Sequence, residues 1–266
     1  MTYSTIARSA LLGLASILVV SPAFALDLAA LSSRNELLLF SDATPAKVRT
    51  VPISGIDGKV LGIDVRPADG KLYALAHDGT IYTVDAGSGA ASRKSKLSVP
   101  LEAIDHLVVE FNPQADRLRV MGSTGQNLRV NVDTGQSIVD GKLTYRPADP
   151  NAGKPMAVYA GAYINSYAGT KQTQLFDVDS ANSTYVVQDP PNDGVLRSVG
   201  PTGLKPGMTV DAIDIFTDAK DNYVGFAVSG NRLYRFNIAT GKFGKNSVIG
   251  SGKIPVIDIA VLTKSR

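Results

Sequence analysis

The chain has 266 residues, 27 Lys and Arg against 24 Asp and Glu, a formal net charge of +3, and neither Cys nor Trp. The absence of Cys excludes disulfide staples, thiolate metal sites and a lipid-bearing cysteine, so stability must come from packing. No run of Lys and Arg interleaves with aromatic residues, which removes nucleic acid from the expected partners.

Residues 1–25 read as a secretory signal. Arg8 lies in the leading segment, an apolar run covers 10–20, and Ser21-Pro22-Ala23-Phe24-Ala25 places small residues at Ala23 and Ala25, with cleavage expected after Ala25. The run is shorter than the roughly 20 residues a membrane span needs, and no later stretch is apolar enough. The expected mature chain, 26–266, therefore carries no transmembrane segment. It is expected to be a periplasmic or secreted monomer, one domain of charge +2 once Arg8 leaves.

Short apolar runs at 28–32, 36–40 and 48–53 follow, three strands without an obvious first member. A full four-strand unit then spans 61–97: strands at 61–66, 72–76, 80–85 and 91–97, separated by Pro67-Ala68-Asp69-Gly70, His77-Asp78-Gly79 and Ala86-Gly87-Ser88-Gly89. The unit repeats at 107–143 with Pro113-Gln114-Ala115-Asp116, Ser123-Thr124-Gly125 and Asp133-Thr134-Gly135 at the same places. A looser copy runs from 158 through 175–179 to 185–187, and a clear one covers 210–249. Residues 256–262 form a lone strand.

A strand-and-turn repeat of this length marks a β-propeller. The lone C-terminal strand supplies what the first three lack. The expectation is an all-β, five-bladed propeller of four-stranded antiparallel blades, its ring closed by the C-terminal strand completing the N-terminal blade. The alternative is an irregular six-bladed ring with an extra sheet hidden in 145–210.

Gly62-Ile63-Asp64-Val65-Arg66-Pro67, Leu72-Tyr73-Ala74-Leu75, the FNPQADRLRV segment at 111–120 and TGQNLRVN at 124–131 together resemble a bacterial family catalogued as domain of unknown function 4394. DPNAG at 149–153 and QDPPNDG at 188–194 extend the likeness over nearly the whole mature chain. The resemblance implies an exported bacterial propeller and brings no reaction, ligand or catalytic residue.

Each innermost strand carries an acid between apolar neighbours: Asp64, Glu110, Asp214 and Asp258, with Tyr163 at the place in the loose copy. Such a ring could hold a hard cation, calcium being the candidate with Asp64, Asp214 and Asp258 as ligands, or divide into acid and base for a metal-assisted hydrolase or lactonase. Against this stands a structural role, because a catalytic site normally breaks a ring's symmetry. In that role the acids satisfy backbone donors, and Arg119, opposite Glu110, forms an ordinary cross-strand ion pair with it.

Symmetry is broken by the connection 145–156, YRPADPNAGKPM, and by 188–194. The leading functional expectation is thus a propeller that binds a protein partner or small ligand on the face carrying 145–156. Its candidate contacts are Gln126, Asn127, Arg129, Asp149, Asn151 and Lys154. No nucleophile elbow, zincin helix, phosphate loop or dinucleotide fingerprint is present.

Overall fold

A computed structural model describes residues 25–102 and 105–263; the expected signal segment lies almost wholly outside the described residues. Turn chemistry cuts the described residues into twenty-one strands. β1 (Asp27–Ser32), β2 (Glu36–Ser41) and β3 (Arg49–Pro52) come first. The second blade is β4 (Val60–Arg66), β5 (Lys71–Ala76), β6 (Thr80–Val84) and β7 (Ala91–Lys96). The third is β8 (Val108–Asn112), β9 (Arg117–Met121), β10 (Asn127–Val130) and β11 (Ser137–Val139). The short β12 (Thr144–Tyr145) precedes the fourth, β13 (Val158–Tyr163), β14 (Leu175–Asp179), β15 (Thr184–Gln188) and β16 (Val195–Pro201). The fifth is β17 (Ala212–Thr217), β18 (Tyr223–Ser229), β19 (Arg232–Phe236) and β20 (Phe243–Val248), and β21 (Val256–Val261) follows.

β21 pairs antiparallel with β1, Ala29 opposite Ala260 and Leu31 opposite Asp258, so the last strand is the inner strand of the first blade. The ring closes with five blades. The region 145–210 holds no sixth sheet: β13 to β16 form one blade, and β12 adds to it as an outer fifth strand, parallel to β16.

Neighbouring blades cover both faces of each sheet near the channel, which is why inner and middle strands such as β1, β5 and β17 are nearly all buried, whereas the outer β7 and β20 are polar and exposed. The core accordingly divides into five clusters, one per blade junction. Leu61, Leu75, Phe111 and Leu128, for example, fill the junction of the second and third blades, and Phe176, Tyr185, Ile213 and Phe236 that of the fourth and fifth. Inner strands approach closely. A Cβ on Gly62 would lie 2.5 Å from Val109 Cγ2 and 2.8 Å from Asp258 Oδ2, so only glycine fits there. No helix among the described residues is long and apolar enough to cross a membrane.

Candidate functional site

With the strands of each blade lettered A to D from the channel outward, the strand-A acids are turned along the ring, each into the next blade. Asp258 Oδ2 accepts the Ile63 amide at 2.7 Å, Asp64 Oδ2 the Phe111 amide at 2.6 Å, Glu110 Oε1 the Tyr163 amide at 3.1 Å, and Asp214 Oδ2 the Val261 amide at 2.6 Å. The other oxygen of each Asp accepts the amide of the residue after it, Val65, Ile215 or Ile259. At the junction where Tyr163 replaces the acid, the Asn165 amide donates to Thr217 Oγ1 at 3.1 Å. The acids thus stitch inner strands together through backbone donors, which buried peptide groups require.

The register does set Glu110 opposite Arg119, yet the expected ion pair between them does not form. Arg119, only 1% exposed, donates to Tyr163 Oη, Asn127 Oδ1, Asp140 Oδ2 and Asn192 Oδ1. Glu110 instead accepts the Tyr163 backbone amide of the fourth blade. Arg119 therefore ties the 188–194 excursion to the third blade, and Arg129 joins it on Asp140 at 2.7 Å.

Crowding four carboxyls in a buried ring disfavours their charged forms. Burial, then the charge of Asp214, holds Asp64 well above the usual carboxylate range against the opposing pull of its two amides. Burial and the charges of Asp64 and Asp214 do the same to Glu110, and burial raises Asp258. Burial lifts Asp214 to about 6, the Val261 and Ile215 amides limiting the rise. Among the described residues no three His, Cys, Asp or Glu side chains gather in a metal-holding arrangement.

The six side chains expected on the 145–156 face are occupied in holding loops. Gln126 bridges the Glu102 amide and Pro100 O, while Asn127 donates to Gly141 O and Pro191 O. Asp149 accepts the Ser198 amide at 2.8 Å and its hydroxyl at 2.7 Å. Asn151 donates to Thr184 Oγ1 and Ser198 Oγ, and Lys154 Nζ donates to Asn151 Oδ1 at 2.8 Å. The connection is thus pinned flat onto the fourth blade.

A cavity of about 340 Å³ opens at the other end of the channel, where strand A runs into strand B. Its wall includes Asp64 and Asp214 from the ring, Asp69 from the second blade's A–B turn, Ser166 and Tyr167 from 164–174, and Thr263 after β21. The A–B turns of the other continuous hairpins have four or five residues, whereas this connection has eleven. That excess was the sequence signal for the mouth. It was hidden because the copy containing it is the least regular. Arg66, next to Val65 of the lining, is held by Asp116 at 2.6 Å and Asp133 at 3.1 Å, and lies 3.6 Å from Asp69. Asp64 and Asp214 therefore face the cavity with only amides as partners.

Closed ring, inter-blade cores and inner-strand acids define the class: a five-bladed β-propeller with an acid-lined channel mouth. The family model described as a domain of unknown function (DUF4394) matches residues 36–260. The chain belongs to that family, as its motifs led one to expect. No curated protein matches it.

Proposed function

We propose that the protein is a non-enzymatic propeller, exported from the cytoplasm, that binds a small organic cation at the A–B mouth of its channel. The observation that carries this reading is the lining of the cavity, three carboxylates and, among the described residues, no Lys, Arg or His. Each oxygen of Asp64 and Asp214 takes one amide hydrogen, and a carboxylate has about four acceptor positions, so the two keep capacity for an ammonium donor. An arriving cation also relieves their mutual repulsion, and the poorly solvated setting strengthens the attraction. The volume suits a small ligand.

A calcium-dependent hydrolase has less support, because the acids point along the ring rather than toward a common centre. Amide NMR with butylamine, butyrate and calcium chloride as probes tests the assignment. Butylamine is expected to shift residues 64–70, 166–168, 214–215 and 263, with butyrate silent. Shifts confined to the 145–156 face, or produced only by calcium, would overturn it.

A further inference from the structure

Leu26 is built into the fold as a starting point. Ala25 is exposed, whereas Leu26 is 4% exposed and packs with Leu28, Phe40, Phe226 and Ile259 at the junction of the first and fifth blades. Both backbone groups of Leu26 engage one residue. Its carbonyl accepts the Asp42 amide at 2.9 Å, and its own N–H donates to Asp42 Oδ1 at 2.7 Å. The Asp42 side chain is only 2% exposed, and its second oxygen receives Arg235 from β19, whose guanidinium lies 5.4 Å over the Phe226 ring. The next residue is fastened too, the Asp27 amide donating to Thr263 Oγ1 at 2.8 Å beside the ring-closing pair of β1 and β21.

A carboxylate this secluded receives one cation and one neutral amide from Leu26. The signal pattern ending in Ala23-Phe24-Ala25 sets the expected cut at the bond that would turn that amide into a cation. We propose that hydrolysis of the Ala25–Leu26 bond creates an α-ammonium that Asp42 captures, completing with Arg235 a triad around the buried Asp42 carboxylate that locks the first strand. The hydrolysis balances simply. A leader endopeptidase directs water onto the Ala25 carbonyl, the C–N bond breaks, Ala25 leaves with a carboxylate, and Leu26 N takes up protons to become –NH₃⁺. A charge-assisted bond then replaces a neutral one at a distance already set. One extra residue would carry the charge about 3.8 Å along the chain, away from Asp42. Processing thereby finishes the fold as well as releasing the leader.

Four chains test this: one beginning at Leu26, one retaining Ala25, and both repeated with Asp42→Asn. Mass spectrometry of exported protein should place the N-terminus at Leu26. Retaining Ala25 should lower the melting temperature by about 3–8 °C in the natural background and leave it unchanged with Asp42→Asn. Should Asp42→Asn fail to fold, acylation of the Leu26 α-amine by a succinimidyl ester gives an independent readout. It is expected to be about tenfold or more slower in the folded protein than in urea. Equal melting temperatures, a different N-terminus, or undiminished acylation would overturn the proposal.

Discussion

Replacing Asp214 with Asn separates the charge of a ring acid from its hydrogen bonds. Asp214 is raised from 3.8 to about 6 by burial. At about 1.36 kcal/mol per unit, holding it ionised in the fold costs roughly 3 kcal/mol. The sign follows from linkage. A carboxyl with a raised folded pKa contributes nothing adverse below its unfolded value near 3.8, and stability falls as pH climbs from there through about 6. Asn keeps an oxygen for the Val261 amide but turns an NH₂ toward the Ile215 amide, a pH-independent penalty of about 1–3 kcal/mol. The variant should therefore be less stable than the natural protein near pH 4. The difference should then move in its favour by about 3 kcal/mol by about pH 7.5, leaving the two comparable or the variant ahead. Asp177 also rises through burial, to about 8, but it is common to both proteins and cancels in the difference. Urea unfolding followed by far-ultraviolet circular dichroism suits a chain without Trp. A stability difference constant with pH would refute the electrostatic account of the ring.

Asp258→Ala removes the acceptor of the buried Ile63 and Ile259 amides and should cost about 2–4 kcal/mol in urea unfolding; a loss below about 0.5 kcal/mol would deny the stitching role. Gly62→Val places a side chain against Val109 and the Asp258 carboxylate and should destabilise by about 3 kcal/mol or abolish folding, whereas the same change at Gly153, with nothing within 4 Å, meets only the strain of its positive φ. Arg119→Met leaves the Asp140 carboxylate, 4% exposed, to Arg129 alone and removes the donor to Tyr163, Asn127 and Asn192, and should cost about 2–4 kcal/mol while increasing proteolysis within 188–194.

The number of blades and the closure were legible because turn chemistry punctuates each hairpin: Pro67 to Gly70 and Pro113 to Asp116 recur at matching positions, and the lone strand at 256–262 answers the blade that lacks an inner strand. The acids were legible as a ring for the same reason. What each acid touches was not, since a carboxylate between apolar neighbours reads alike whether it meets a metal, an arginine or a backbone amide. Glu110 and Arg119 illustrate the limit: pairing register follows from the turn, but side-chain direction depends on Tyr163 and Asn192, contributed by a blade far along the chain. The internal bonding of the candidate face was hidden for a related reason. Asp149, Asn151 and Lys154 look like ligand contacts in a long loop, yet Asp149 and Asn151 are bonded to Ser198 and Thr184, and Lys154 to Asn151. The mouth lies at the opposite end, lined partly by Ser166 and Tyr167, two small-motif residues in the least repetitive stretch.

Calorimetric titration of butylamine into the mature protein at about pH 7.5, alongside the Asp64→Asn/Asp214→Asn double variant, tests the central claim most directly. The account predicts one saturable site with Kd on the order of 1 mM for so small a ligand, weaker at about pH 5 as Asp214 protonates, and lost in the double variant. Absence of binding, or equal binding by a folded double variant, would contradict it.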